Sequence, residues 1–185
     1  MKAEEALTQI AYLQELVTQT RLRATDGYPY FLLWGLLWLL GYLGSIWLPH
    51  YPLWHIITLA GGILTAVIGF TRKKGQPVPP LLKKLGWLGL ILFLAASSLF
   101  ALLLTLTRNP RLLSSYWPFQ IGVIFLAAGV FLGRSMVLIG AWLVLAAVAG
   151  VWMPVPLQQI WLAAGGGGGL LFTGFWLRKR AREDG

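Results

Sequence analysis

The chain has 185 residues, of which 57% are hydrophobic and 11% are charged, and its mean hydropathy is +0.70. This composition excludes a soluble domain of ordinary type and predicts a protein that resides in a lipid bilayer. Fifteen Lys and Arg stand against six Asp and Glu, but no carboxylate lies between residues 27 and 182. A catalyst built on paired carboxylates is therefore excluded from that stretch. Because the chain has no cysteine, disulfides, thiol catalysis and Cys-ligated metal are excluded as well.

The chain begins with a polar segment, residues 1–26, in which apolar residues recur at helical spacing. The apolar stripe of this amphipathic helix includes Ile10, Leu13 and Val17. Its polar face is acidic, whereas a helix lying on anionic lipid normally has a basic one. We therefore expect the stripe to contact either the inner ends of the membrane spans, or a partner protein or second copy through a short coiled coil. Attachment to the lipid surface is a third alternative, and the acidic start is not that of a cleaved signal peptide.

Six stretches are long and apolar enough to cross the bilayer core, which needs about 20 helical residues. They cover approximately residues 28–48, 52–71, 85–107, 113–133, 135–153 and 157–177. The fourth and fifth stretches are separated only by Arg134. The alternative to two spans here is one long buried segment, but Gly133–Ser135 supply a compact polar turn that favours two. The sequence thus predicts an all-α integral membrane protein. Its six-helix transmembrane domain comprises residues 27–178 and is followed by a charged tail, residues 179–185.

The distribution of Lys and Arg predicts the orientation, because positively charged loops resist translocation. If the N-terminus is inside, thirteen Lys and Arg lie on that side, and only Arg108 and Arg111 lie on the other. We therefore expect both termini to face the cytoplasm.

Part of the first predicted hairpin is repeated late in the chain. Ile46–Pro49 corresponds to Val151–Pro154, and Ala60–Gly62 corresponds to Ala164–Gly166. The middle pair of spans repeats the same pattern more weakly. The sequence therefore predicts three pseudo-repeated hairpins related by an axis along the membrane normal. The alternative is that any two membrane hairpins share Trp-Pro turns and basic inner ends.

These features carry a family resemblance. The residues Trp34-Gly35, Gly41, Leu48-Pro49, Gly62 and Gly69, with a basic inner loop after them, resemble the small six-pass bacterial membrane proteins typified by HdeD. That resemblance implies repeated two-helix units and a stress-associated role. The polar arm followed by Gly27-Tyr28-Pro29 also resembles uncharacterised small multipass membrane proteins of Gram-positive bacteria. Neither resemblance carries a catalytic residue over to this chain.

Small residues recur four positions apart within the predicted spans. Close backbone approach across such residues drives helix packing in lipid, where the hydrophobic effect does not. The predicted helix-packing residues are Gly61, Thr65, Gly69, Gly129, Gly133, Gly165, Gly169 and Thr173.

Five consecutive glycines, residues 165–169, exceed what a contact with one neighbouring helix requires. Two interpretations follow. Either the sixth helix is central and closely packed on several sides, or it is loosened here and exposes backbone groups to a ligand, as broken transporter helices do.

Two groups of basic residues are candidates for binding anions. His50, His55, Arg108 and Arg111 together would form an outer anion-binding rim, the alternative being that the arginines snorkel from the ends of their spans. On the inner side, Arg72, Lys73, Lys74, Lys83 and Lys84 flank a stiff Pro-rich loop. We expect these five to contact anionic headgroups, at about 1 kcal/mol each.

The sequence predicts no catalytic residue, cofactor or metal, since two histidines near one surface do not complete a metal site. We therefore expect a non-enzymatic polytopic membrane protein that interacts with lipid, a protein partner or a second copy, and not with nucleic acid. The alternative is a small-molecule binding or permease subunit of a transporter, and a membrane enzyme ranks third. A mid-membrane cavity opening outward and lined by Trp38, Trp142, Trp161 or Gln120 would favour the permease.

Overall fold

The computed structural model describes residues 9–12, 14–15, 27–48, 53–72, 80–107 and 109–183. Every regular element in these ranges is helical, which confirms the all-α class. In chain order they are α1 (Tyr28–Trp47), α2 (Leu53–Arg72), α3 (Pro80–Thr107), α4 (Pro110–Leu132), α5 (Arg134–Val151), α6 (Val155–Leu162) and α7 (Gly169–Glu183). Between α6 and α7 the chain winds as a π-helix, Ala163–Gly168, without leaving the helical path.

Two helices begin earlier than the hydropathy predicts. Helix α3 begins at Pro80 instead of residue 85, and α4 begins at Pro110 instead of residue 113. Proline suits the first helical turn, and at α4 the side chain of Asn109 caps the helix by accepting a hydrogen bond from the backbone N–H of Arg111 at 3.0 Å. Both helices therefore include charged residues at their start, which the hydropathy pattern places outside the apolar spans.

The turn between α4 and α5 depends on Gly133. This residue has φ 105° and ψ 176°, a region of backbone space that only glycine readily occupies. Helix α4 ends at Leu132 and α5 begins at Arg134, so the predicted division of the long apolar stretch is confirmed. Gly133, one of the predicted helix-packing residues, lies in the turn itself.

Helices α4 and α5 pack antiparallel with their backbones in close approach. A Cβ added to Gly122 would lie 2.8 Å from the carbonyl oxygen of Gly140, and one added to Gly140 would lie 2.7 Å from that of Gly122. Nearer the turn, a Cβ on Gly129 would lie 2.7 Å from the backbone nitrogen of Val137. These glycines allow the two helices to meet without intervening side chains.

The segment from α6 through the π-helix to α7, residues 155–183, lies between α1 and α5. On one side Gly35 and Gly174 bring it against α1, since a Cβ on either would come within 3.0 Å of the facing helix. On the other side Leu162 lies in the core with Leu143 of α5, and both are fully buried. The last segment of the chain is therefore the centre of the bundle.

Among the described residues, five helical stretches are long and apolar enough to cross a membrane, namely Tyr28–Trp47, Leu53–Thr71, Pro110–Val130, Arg134–Val151 and Val155–Arg182. Within α3, the shorter stretch Gly86–Phe100 is apolar. Many large apolar side chains on these helices are exposed, including Ile56, Leu59 and Ile63 of α2. Such surfaces are compatible with a multipass membrane protein, whose helices contact lipid.

Candidate functional site

The π-helical segment Ala163–Gly168 is the most unusual part of the backbone. Turns of π-helix are rare and occur frequently at functional sites. Four of its six residues are glycine, and Gly165, Gly166 and Gly167 are all buried. The chain stays helical across the glycine run, so the structure agrees with a continuous, closely packed helix and shows no break, although the winding is not that of a regular α-helix.

Neighbours approach the glycine run from different sides. A Cβ added to Gly167 would lie 2.7 Å from the backbone nitrogen of Leu39 in α1, whereas one on Gly165 would lie 3.4 Å from the Cβ of Ala146 in α5. On Gly166 it would lie 3.1 Å from the Trp38 ring. No single neighbour accounts for these contacts, so the run is glycine-rich because it is crossed by two helices.

Two tryptophans join α5 to the central segment through reciprocal hydrogen bonds. The indole N–H of Trp142 donates to the carbonyl oxygen of Gly165 at 2.8 Å, and that of Trp161 donates to the carbonyl oxygen of Ala146 at 2.8 Å. In hydrocarbon a polar group without a partner costs several kcal/mol. Each bond therefore satisfies an indole and also fixes the position of the glycine run against α5.

An open groove of about 500 Å³ lies beside the glycine run, between α5 and α7. We call it the glycine groove. Its lining consists of Ser135, Leu138, Ile139, Trp142, Ala164, Gly168, Gly169, Phe172, Thr173 and Trp176. Gly168 forms part of the floor, since a Cβ there would meet only the carbonyl oxygen of Ala163, at 3.9 Å. The walls include the exposed side chains of Leu138 and Phe172, so the groove opens on the lateral surface of the bundle.

Positive charges lie where the glycine groove reaches the end of the bundle, which we call the basic end. Arg134 precedes the lining residue Ser135 in α5, and Arg180 stacks over the ring of the lining residue Trp176 at 4.1 Å from its centroid. A second cavity of about 390 Å³ lies here, lined by Phe175, Arg178, Lys179 and Arg182. Glu183 and Asp184 follow directly in the sequence. The glycine groove thus has a mainly apolar lining and positively charged residues at one end.

At the opposite end of the bundle, α6 and α4 share a buried polar cluster. The side-chain amide of Gln158, fully buried, donates to the carbonyl oxygen of Arg111 at 2.7 Å and to the hydroxyl of Ser115 at 2.9 Å. Gln159 donates to the hydroxyl of Ser114 at 3.1 Å. The hydroxyl of Tyr42 adds α1 to this cluster by donating to the carbonyl oxygen of Ser114 at 2.9 Å. Among the described residues, neither amide oxygen of the two glutamines has a hydrogen-bond donor.

The predicted packing residues of α2 all face α1. A Cβ on Gly61 would lie 2.8 Å from Leu37, the hydroxyl of Thr65 accepts a hydrogen bond from the Trp34 indole at 3.1 Å, and a Cβ on Gly69 would lie 3.5 Å from the Tyr30 hydroxyl. Because the pairs run in opposite directions along the two helices, α1 and α2 form an antiparallel hairpin.

Two further predicted packing residues lie in α7, at the glycine groove. A Cβ on Gly169 would lie 2.9 Å from the Trp142 indole nitrogen, so this residue faces α5. The hydroxyl of Thr173 donates to the carbonyl oxygen of Gly169 within the same helix at 2.9 Å. Both residues line the groove.

The predicted anion rim is described only in part. His55 is exposed in the first turn of α2 and Arg111 is exposed in the first turn of α4, and the structure gives no contact between them. His50 and Arg108 lie outside the described residues. The rim therefore stays a prediction.

The predicted headgroup contacts lie around the ends of α2 and α3. Lys84 is exposed on α3, Arg72 ends α2, and Lys83 is in the first turns of α3. Lys73 and Lys74 lie outside the described residues.

The predicted partner helix is also described only in part. Residues 9–12 and 14–15 are helical, and the side chain of Ile10 is 51% exposed. Leu13 and Val17 lie outside the described residues. Of the alternatives for this stripe, the structure gives no support at Ile10 to packing within the chain.

Sequence reasoning missed the glycine groove and the buried glutamine cluster. The groove depends on which spans are neighbours, and this does not follow from the apolar pattern of any one span. Gln158 and Gln159 did carry a signal, since adjacent carboxamides in an apolar helix must find partners at membrane depth. The described residues hold no group of three metal-ligating side chains.

The fold and the groove define a class of protein: an all-helical chain with several apolar helices of membrane-spanning length around a central glycine-rich helix. Neither the protein-family models, nor the curated proteins, nor the solved structures with which the chain was compared gave a match. The resemblance to HdeD-like proteins therefore stays a prediction.

Proposed function

We propose that this chain is a non-enzymatic polytopic protein of the bacterial cytoplasmic membrane that interacts there with lipid or with a protein partner. The observation that carries the proposal is the apolar surface of its helices. On α2 alone, Ile56, Leu59 and Ile63 are 60%, 68% and 57% exposed. A water-soluble monomer does not expose a continuous apolar face of this kind, whereas lipid covers it without cost.

A sixth crossing by α3 is part of this proposal. Helix α3 has 28 residues, which correspond to about 42 Å at 1.5 Å per residue, more than the bilayer core requires. It packs antiparallel on α4, since Tyr116 donates to the carbonyl oxygen of Ala96 and Gln120 donates to that of Leu92 at 3.4 Å. These contacts favour a chain that reverses direction at every connection.

The proposed orientation places both termini in the cytoplasm. The thirteen-to-two distribution of Lys and Arg favours it, and the antiparallel packing of α5 on α7 supports it. Arg134 at the start of α5 and Arg178 near the end of α7 lie at the same end of the bundle. That end would be the cytoplasmic one.

The absence of carboxylates between residues 27 and 182 supports a non-enzymatic role, because general acid-base and metal-assisted reactions lack their usual groups there. One observation favours the second candidate, a small-molecule binding or permease subunit: the glycine groove is lined by Trp142. However, Trp38 is buried in packing and the groove opens sideways instead of along the bundle. Lipid or protein contact is therefore the better-supported function.

Topology reporters fused at residue 1 and at residue 185 test the proposal. Six crossings with the N-terminus inside require both reporters to give the cytoplasmic signal. Five crossings would place the two reporters on opposite sides, and recovery of the protein without detergent would exclude membrane insertion. Either result would overturn the proposal.

A further inference from the structure

The glycine groove and its basic end adjoin, so that one molecule can contact both. We propose that the groove binds an acyl chain of an anionic phospholipid from the inner leaflet, with Arg134 and Arg180 holding the phosphate. This inference rests on the proposed membrane location and orientation, and it specifies the ligand and the residues that bind it.

The length of the groove suits an acyl chain. Along α5 the lining residues extend from Ser135 to Trp142, and along the central segment from Ala164 to Trp176. These separations correspond to about 10 and 18 Å of helix, which is close to half of a bilayer core of about 30 Å. The groove therefore runs from the basic end to about the middle of the membrane, the depth that a lipid of one leaflet occupies.

The chemistry of the lining requires an apolar occupant. The indole N–H of Trp142 already donates to Gly165, and the hydroxyl of Thr173 already donates to Gly169. Apart from Ser135, which lies at the basic end, the remaining lining residues are aliphatic, aromatic or glycine. A polar solute would lose its hydrogen bonds to water and find few partners here, whereas a hydrocarbon chain gains close contact and loses nothing.

The charges at the mouth require an anionic headgroup. Arg180 stacks over Trp176, and stacking uses the face of a guanidinium while its N–H groups lie in the plane, in the fork geometry that suits phosphate. Arg134, next to the lining residue Ser135, is exposed at the same end. Arg178 and Arg182, which line the second cavity, add positive charge at the same end of α7.

A second copy of the chain is a poorer occupant for the same reason. In a two-fold dimer each surface patch meets its own image. Such a contact across the glycine groove would bring the arginines of both copies together at the basic end, where like charges repel. An anionic lipid neutralises those charges instead.

Native mass spectrometry of detergent-extracted protein tests the site. The full chain would be incubated with equal amounts of phosphatidylglycerol and phosphatidylcholine, and the lipids retained per chain would be counted. We expect one retained phosphatidylglycerol. Gly168→Leu should fill the floor of the groove and abolish retention, whereas Gly62→Leu, whose Cβ also meets nothing within 4 Å, is the matched control and should retain lipid. Should Gly168→Leu fail to fold, Ala164→Leu fills the same groove from an exposed position.

The charges are tested separately. Replacing Arg134 and Arg180 together by Gln should lower the preference for phosphatidylglycerol about thirtyfold, the effect expected for two charges at an anionic surface. Arg111→Gln, an exposed arginine at the other end of the bundle, should leave the preference unchanged.

Several results would overturn the proposal. Equal retention by wild type and both groove variants would show that lipid binds elsewhere, and a dimer lost in Gly168→Leu would identify a second copy as the occupant. If the reporters place both termini inside but the wild type retains no lipid, this site fails while the proposed function stands. Recovery of the protein without detergent would overturn both.

Discussion

Two adjacent glycines in the π-helix should respond in opposite directions to the same substitution. A Cβ on Gly167 would lie 2.7 Å from the backbone nitrogen and 3.0 Å from the Cα of Leu39, and 2.9 Å from the carbonyl oxygen of Gly35. All three are backbone atoms of α1, so no side chain can rotate away and the helix itself must shift. A Cβ on Gly168 meets only the carbonyl oxygen of Ala163, at 3.9 Å.

The expected magnitude follows from comparing Gly167→Ala with Gly168→Ala. Both variants gain the same helix propensity, up to about 1 kcal/mol in water, so this term cancels in their difference. What remains is the overpacking at Gly167, about 1 to 3 kcal/mol. We therefore expect Gly168→Ala to equal or exceed the wild type in stability and Gly167→Ala to be less stable than both.

Thermal unfolding of the purified protein in one detergent, followed by tryptophan fluorescence, measures this difference. At about 2 to 4 °C per kcal/mol for a chain of this size, the midpoints of the two variants should differ by several degrees. Equal midpoints would refute the close approach of α1 to the glycine run. A loss in Gly168→Ala as large as that in Gly167→Ala would refute the groove beside it.

Two further substitutions test the turn and the indole bond. Gly133→Ala should lower the free energy of unfolding by about 1 to 3 kcal/mol, because alanine does not readily adopt the backbone angles of Gly133. Its control is Gly62→Ala, a substitution in open space, which should not lower the unfolding midpoint. Equal midpoints for the two variants would contradict the assigned turn. Trp142→Phe keeps an aromatic ring but leaves the carbonyl oxygen of Gly165 without its indole donor, so it should lower the free energy of unfolding by about 0.6 to 2 kcal/mol. The control is Trp152→Phe, at an exposed site, which should lower it by less. If Trp142→Phe unfolds at the wild-type midpoint, the bond does not contribute to stability.

The sequence was sufficient to predict the helices but not the relations between them. The all-α class and the turn at Gly133–Ser135 follow from apolar run length and local turn chemistry, which are properties of one segment. The π-helix and the bond from Trp142 to Gly165 depend on which two helices flank the central one. No periodicity within a single span contains that information.

The packing residues illustrate the same limit. Spacing four positions apart placed Gly61, Thr65 and Gly69 on one face, and the structure puts that face against α1. The same spacing also selected Gly133, whose conformation makes it a turn residue. Small residues at helical spacing therefore indicate close packing only where the helix is known to continue.

The two hairpins that the sequence pairs show why one of them needs a longer glycine run. The paired residues Gly61 and Gly165 both face the preceding helix of their hairpin, through Leu37 in α1 and through Ala146 in α5. The next residue differs: a Cβ on Gly62 meets nothing within 4 Å, whereas one on Gly166 would lie 3.1 Å from the Trp38 ring. Among the described residues, the glycine pair of α2 thus has a helix on one side, while the central segment has α5 on one side and α1 on the other. A helix with two close neighbours needs small residues around a full turn. Because that turn is wound as a π-helix, Gly168 faces neither α1 nor α5, and the glycine groove begins at this residue.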